Sequence, residues 1–323
     1  MAALALLLLL LTPGTGLRSS LPEPDYTQKI TFTPLLEPSE TGGNLALLGA
    51  WNIDSTNTLF GGFSSLVTLE PGRLLSASDR GNYLEMSSPQ GNDQTAIIGR
   101  LGNPENKDKI ISDIESLTRD PDSAVVWAGF ELSNTIHRFG PDLKAQGSIA
   151  PLDMAHWWSN SGPEAMTRLP DGRFIVLSEG ATRRDSQIHD ALLFPSDPLD
   201  GGKPVKFSYQ PPSGYDPVDM ALLPDGKVLI LLRKLRYNFP PGFETALSLA
   251  DPGRIAADSI WTGEQTFFLA PPVPPENYEG LTVDTDTAGR TILWIISDDN
   301  TSIWQRTLLL KLLWQPEESD DSE

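Results

Sequence analysis

A four-residue pattern that recurs five times constrains what this chain of 323 residues can fold into. It reads Phe63-Ser-Ser-Leu66, Ile114-Glu-Ser-Leu117, Pro163-Glu-Ala-Met166, Pro217-Val-Asp-Met220 and Tyr278-Glu-Gly-Leu281. The second positions, Ser64, Glu115, Glu164, Val218 and Glu279, stand 51, 49, 54 and 61 residues apart, which is the size of a four-stranded propeller blade. Each pattern leads through a turn into a second strand. Those second strands end at Asp79, Glu131, Glu179, Arg233 and Asp298, which lie 15, 16, 15, 15 and 19 residues after the corresponding second position. In an antiparallel hairpin the start of the first strand meets the end of the second, so two rings of side chains are expected to share one mouth.

Between the patterns, short apolar runs are punctuated by Pro, Gly and Asp, and 28 Pro with 27 Gly leave little room for long helices. Leu-Pro-Asp-Gly at Leu169–Gly172 and Leu223–Gly226 predicts hairpin turns. Outer strands are expected at Asn134–Phe139, Gln146–Ala150, Asp190–Phe194, Val205–Tyr209, Thr245–Ala250 and Gln265–Leu269. The fifth repeat has only Gln305–Trp314, one strand short, whereas Leu45–Ile53 precedes the first hairpin without a blade of its own. The N-terminal strand is therefore expected to complete the last blade and close the ring, which removes exposed sheet edges. The fold class is all-β: a β-propeller of five four-stranded blades over residues 45–314. A sixth, irregular blade built partly from Gln28–Leu36 stays open.

Ala2 to Leu11 is an unbroken apolar run followed by Thr12-Pro13-Gly14-Thr15-Gly16. A membrane-spanning helix needs roughly 20 apolar residues, so residues 1–20 read as an export signal, with Gly14 and Gly16 ahead of a cleavage near Leu17. The expected location is periplasmic or secreted, with no stable membrane insertion after export. Residues 21–44 read as an N-terminal extension and 315–323 as a disordered acidic tail. With 43 acidic and 24 basic side chains the net charge is −19, and no basic stripe exists to neutralise nucleic acid. Cysteine is absent, which excludes disulfides, thiolate metal sites and a Cys nucleophile. A monomer is expected.

The mouth collects Glu115, Glu164, Glu279, Asp79, Glu131, Glu179 and Asp298, with Arg80 and Arg233 among them. So many carboxylates in one channel repel unless a cation lies between them. Calcium suits the ligand type, because it takes several oxygens in flexible geometry. An anionic group would then lie between metal and arginines while water attacks it. On this reading Glu115, Glu164 and Glu279 are the catalytic candidates, as ligands or general base. Asp79, Glu131, Glu179 and Asp298 are metal ligands, and Arg80 and Arg233 bind substrate. The competing reading is structural: acids that cap turns, accept backbone N–H groups or pair with the arginines.

Gly61-Gly-Phe-Ser-Ser-Leu66, Ser78-Asp-Arg80, Asp113-Ile-Glu-Ser-Leu117, Pro163-Glu-Ala-Met166, Leu177-Ser-Glu-Gly180, Asn277-Tyr-Glu-Gly-Leu281 and Ser297-Asp-Asp-Asn300, followed by Gln305-Arg-Thr-Leu-Leu-Leu310, occur in that order. This succession resembles the bacterial phytase-like family described by an esterase-like activity. The resemblance runs from Leu45 to Trp314 and departs at Thr301, where the family pattern has an aromatic residue. It implies an exported propeller and hydrolysis of a small-molecule ester or phosphoester.

No Gly-x-Ser-x-Gly elbow occurs, and only three histidines are present. His156, in Met154-Ala-His-Trp-Trp158, approaches the third inner strand and is the one histidine placed at the mouth as a substrate-binding acid or base. His137 lies in an outer strand and His189 beside acids, and neither suggests catalysis. Trp157-Trp158 reads as packing or as an apolar wall, Arg183-Arg184 as a solvated loop pair, and Asn300-Thr301-Ser302 as a glycosylation triplet with no meaning in a bacterium. Two further functions remain open: a non-catalytic exported propeller that binds a ligand or protein, and a lactone hydrolase of the gluconolactonase kind.

Overall fold

The computed structural model describes residues 25–36, 38–40, 45–101, 113–158, 161–181, 187–237 and 242–315. The apolar run at Ala2–Leu11, the pair Arg183-Arg184 and the acidic tail lie outside them. The described residues form five sheets and no α-helix, and no helix among them is long and apolar enough to cross a membrane.

Each sheet is one blade of a five-bladed propeller, with the recurrent pattern opening its inner strand. Blade one comprises Phe63–Glu70, Arg73–Ser78, Asn82–Ser87 and Ile97–Arg100. Blade two comprises Ile114–Arg119, Val126–Phe130, Thr135–Phe139 and Ala145–Ile149. Blade three runs Pro163–Arg168, Phe174–Ala181, His189–Phe194 and Val205–Gln210. Blade four runs Asp216–Leu222, Val228–Arg236, Gly242–Ala250 and Gln265–Leu269. Blade five begins with Tyr278–Thr285, Thr291–Ser297 and Leu308–Trp314. Each inner strand contacts the next, and the fifth contacts the first, so the circle is complete.

The N-terminal strand closes the ring as expected. Leu45–Asp54 pairs antiparallel with Leu308–Trp314 and supplies the missing strand of blade five. The sixth blade does not form. Lys29–Leu36 instead pairs with Leu45–Asp54 and extends the fifth sheet outward, and Asp93–Thr95, from the loop before the last strand of blade one, pairs with it in turn. Ile260–Thr262, from the outer loop of blade four, likewise adds a parallel strand to blade three. Both additions cover edges that would otherwise be free to pair with another chain.

The core is five apolar layers, one between each pair of neighbouring blades. Second strands have both faces in such layers, which is why they read as continuous apolar runs instead of alternating ones. In Val228–Arg236, Leu229 and Leu231 face blade five while Val228, Ile230 and Leu232 face blade three. Both Leu-Pro-Asp-Gly segments turn as expected: Gly172 and Gly226 adopt positive φ and donate to the carbonyls of Leu169 and Leu223, while Asp171 and Asp225 accept from the backbone N–H two residues on.

The free edge of each inner strand faces the axis, where it has no further strand to pair with. Side chains of the neighbouring blade satisfy it instead. Ser64 and Ser116 donate to the carbonyls of Ile114 and Pro163. Thr282 and Thr118 accept from the N–H groups of Thr68 and Arg168. Asp219, fully buried, accepts from Met220 at 2.8 Å and from Leu281 at 2.7 Å, and from the backbone of Leu66. Three blades are thereby tied at the axis by one carboxylate.

Candidate functional site

The recurrent pattern is a β-bulge used five times. In every blade the pairing of the inner strand slips at the second position: Ser64, Glu115, Glu164, Val218 and Glu279 are each the extra residue, with partners skipping from Phe63 to Ser65, Ile114 to Ser116, Pro163 to Ala165, Pro217 to Asp219 and Tyr278 to Gly280. A bulge re-aims the side chain it carries. Directly across from the slip stand Ser78, Phe130, Ser178, Leu232 and Ser297 of the second strands, and the next residue of each is Asp79, Glu131, Glu179, Arg233 or Asp298. The two sets gather at one end of the channel.

Their closeness is read from which groups act on which. Asp113, Glu115 and Glu131 offer carboxylate oxygens within 4.8 Å of one another, as do Glu131, Glu164 and Glu179. Glu131 belongs to both groups and hydrogen-bonds Glu164 and Asp113, contacts that between carboxylates require a shared proton. Burial, with Asp113 and Glu179 beside it, pushes Glu131 up to about 7. Desolvation and the charges of neighbouring acids hold Glu115 and Glu164 well above the ordinary carboxylate range. Burial also pushes Asp298 up to about 7 and Asp216 up to about 6. Among the described residues no cation pairs with Glu115, Glu131 or Glu164.

Arg233 is the one residue of the second set that is not an acid, in blade four, whose bulge carries Val218. It donates to Glu179, to Glu279 and, at 3.0 Å, to Asn277 Oδ1. Asn277 Nδ2 in turn donates to Glu279 at 2.8 Å. Burial alone would lower the guanidinium, but Glu179, Glu164 and Asp298 hold it above its ordinary value. Arg80 is engaged differently: it donates to the carbonyls of Phe60 and Gly61 and lies 3.8 Å from Asp79. Gly61 and Gly62, both at positive φ, make this approach feasible, since a Cβ on Gly62 would meet Asp79 at 2.5 Å and one on Gly61 would meet Asp299 at 2.9 Å. Asp298 accepts from Asn300 N–H, and Asp299 from Gly62 and Thr301, which fixes the loop that follows the last inner hairpin.

The structure thus brings together Asp79, Glu115, Glu131, Glu164, Glu179, Arg233, Glu279 and Asp298. It leaves His156 outside: its Nε2 lies 3.3 Å from Asp190, on the third strand of blade three, and its side chain is 60% exposed. Four residues of the mouth fall outside the repeat positions. Asp113 and Asp216 precede the pattern by one residue, as Asn277 does in blade five, so aligning that neighbouring column would have found them. His189, buried, faces Ser178 O at 3.2 Å and Asp216 at 3.8 Å, and burial lowers its pKa. His137 is packed against Phe130 and Phe139, and burial lowers it to about 4. Trp157 is buried between blades two and three, while Trp158 is half exposed.

Below the mouth the five third positions of the pattern, Ser65, Ser116, Ala165, Asp219 and Gly280, are all buried and close the channel. A groove of about 1270 Å³ opens beside the mouth between Tyr26, Phe60, Arg80, Asp299, Ile303 and Arg306.

A family model described as phytase-like, esterase-like activity of phytase, matches residues 58–301. No curated protein matches the chain. Among solved structures, it is similar to hydrazine synthase of Kuenenia stuttgartiensis at 12% identity and TM-score 0.40, over 76% of this chain and 59% of that one. It is similar to a chain of a nidogen/laminin complex at 8% identity and TM-score 0.41, over 83% of this chain and 88% of that one. The chain therefore spans less than two thirds of the hydrazine synthase chain.

Proposed function

Since the chain belongs to the phytase-like family, we propose that its acidic mouth is a calcium-assisted hydrolytic site for a small-molecule ester, carried by an exported, monomeric propeller. The observation that carries this reading is the pair of carboxylate groups joined by Glu131. Every donor there is a hard oxygen, with no sulfur and no imidazole, and calcium fits such a set. Among the described residues Glu115, Glu131 and Glu164 also lack a protein counter-ion, because Arg233 is committed to Glu179 and Glu279. Asp113, Glu115 and Glu131 would hold one ion, or Glu131, Glu164 and Glu179 would do so; Asp79 and Asp298 complete the rim. When bound, calcium supplies compensation of the carboxylate charge and polarisation of an ester or phosphoryl oxygen.

The residues themselves handle the proton. Glu164 and Glu131 share a hydrogen bond, so one carboxylate oxygen of the pair accepts the proton that an attacking water loses. The same group returns it to the departing oxygen, and the ester leaves as acid and alcohol. Arg233 holds Glu179 and Glu279 in place through its hydrogen bonds to both. Because Arg233 and Arg80 are both occupied by protein acceptors, an uncharged ester or lactone is favoured over a phosphomonoester held between arginines. A non-catalytic binding propeller would be expected to pair its acids internally, and the group around Glu131 argues against it.

The test is hydrolysis of para-nitrophenyl acetate and para-nitrophenyl phosphate by the mature protein, with calcium and after chelation, beside Glu164→Gln. Calcium-dependent turnover, greater on the acetate and lost in the variant, is expected. No turnover on either ester, with calcium still raising the melting temperature, would overturn the enzymatic reading and leave a metal-stabilised binding protein.

A further inference from the structure

The opposite end of the channel is built from different chemistry. There the inner strands of all five blades end around a pit of about 190 Å³. Thr118, Arg119, Thr167, Arg168, Pro170 and Thr282 stand in its wall. The threonines are buried as residues, and two of their hydroxyls have their acceptor sides partly spent: Thr118 Oγ1 accepts from Arg168 N–H at 3.0 Å and Thr282 Oγ1 from Thr68 N–H at 2.9 Å. Thr118 keeps its hydroxyl proton for a further partner, and Thr167 has no hydrogen bond through its side chain among the described residues.

Arg119 is the residue the fold leaves unexplained. Its guanidinium makes no ion pair and no hydrogen bond among the described residues. Desolvation pulls it below its ordinary value despite Asp120, Asp284, Glu70 and Asp122 nearby. Two of those acids, Asp120 and Asp284, are engaged by other partners. Asp120 lies 3.5 Å from Arg168 and accepts from the N–H of Asp122 and the hydroxyl of Ser123. Asp284 accepts from the N–H groups of Gly72 and Thr285 and from Trp294 Nε1. The pit therefore presents one arginine fork without an acceptor, two threonine hydroxyls with a proton to give, and a second arginine, Arg168, that is ion-paired with Asp120. Guanidinium and hydroxyl donors converging on one small cavity match the oxygens of a phosphate or carboxylate.

We propose that this pit binds a small oxyanion, a phosphate or carboxylate group, held by Arg119 with Arg168, Thr118 and Thr167. The closed centre of the channel separates it from the acidic mouth, so the propeller carries a cation preference at one end and an anion preference at the other. In a chain of net charge −19, such a site selects anions by local geometry against the overall field.

The experiment uses full-length mature protein, stripped of metal and then dialysed free of chelator, which is itself a polycarboxylate. Inorganic phosphate and succinate are titrated separately by calorimetry at constant ionic strength set with chloride. Saturable binding is expected for at least one of them, and the tighter of the two names the source. Arg119→Gln should weaken it by about tenfold or more, the loss of one charge-assisted contact. Arg168→Gln and Thr167→Val should each weaken it less, and all three variants should keep the wild-type melting transition. Glu164→Gln, at the other end, should bind normally. Absence of saturable binding for both anions would overturn the proposal. So would undiminished binding in folded Arg119→Gln, or equal loss in Glu164→Gln, which would move the anion to the acidic mouth. If Arg119→Gln does not fold, undiminished binding in both Arg168→Gln and Thr167→Val would overturn it equally.

Discussion

Replacing Glu131 by Gln should stabilise the metal-free protein at alkaline pH, against the usual direction for a buried substitution. Folded Glu131 stands at about 7 against an ordinary 4.5. Between those values the folded chain keeps a proton that the unfolded chain has released. Its contribution to stability is thus fully present below 4.5 and is lost as pH rises through about 7. At about 1.4 kcal/mol per pH unit, the full gap is worth about 3 kcal/mol. Gln cannot ionise, so it avoids that loss. The assay is urea unfolding of wild type and Glu131→Gln in chelator at pH 5 and pH 8. Titrating histidines, including buried His137 and His189, contribute equally to both proteins and cancel in the difference. The variant should exceed wild type by less than about 1 kcal/mol at pH 5 and by up to about 3 kcal/mol at pH 8. Calcium at a hundredfold excess over its dissociation constant should add about 2.7 kcal/mol to wild type, and much less to the variant, which has lost the carboxylate common to both groups. A variant less stable than wild type at pH 8 in chelator, or a difference that does not change with pH, would refute the reasoning.

Arg233→Met removes the cation held between Glu179 and Glu279 and leaves both facing other acids; a loss of about 3 kcal/mol at pH 8, smaller at pH 5, is expected from denaturant unfolding. Asp219→Leu leaves three backbone N–H groups at the axis without their acceptor, and about 4 kcal/mol should be lost in the same measurement. Truncation to residue 55 withdraws Leu45–Asp54 from the fifth sheet and bares the edge of Leu308–Trp314; calorimetry should then show no cooperative transition.

The ring of blades was legible because its repeat unit is a local event. A bulge at the second position and a hairpin of nearly constant length are both written within about 20 residues, so spacing alone aligned Glu115, Glu164 and Glu279 with Glu131, Glu179 and Asp298. Closure by Leu45–Asp54 was legible by counting strands. What escaped depends on contacts between distant segments. Lys29–Leu36 alternates like a strand of any blade, and only its pairing with both Leu45–Asp54 and Asp93–Thr95 assigns it to the fifth. The commitment of Arg233 to two carboxylates, the position of His156 beside Asp190 and the isolation of Arg119 are likewise properties of assembled surfaces. Asp113 and Asp216 were within reach of the sequence, one column before the pattern, but their mismatch with Gly62, Gly162 and Asn277 hid them.

The buried layer formed by Ser65, Ser116, Ala165, Asp219 and Gly280 governs traffic. The axis of this propeller is two blind cups set base to base, with no passage between them. Whatever enters the acidic cup must leave by the same opening, so on the proposed hydrolytic reading product and incoming substrate would share one doorway. A long polymer cannot thread through; it can present only an end or a side group. Loops at the rim of the acidic cup, among them the one bearing exposed Ile303 and Trp304, set the shape of what can be offered to it.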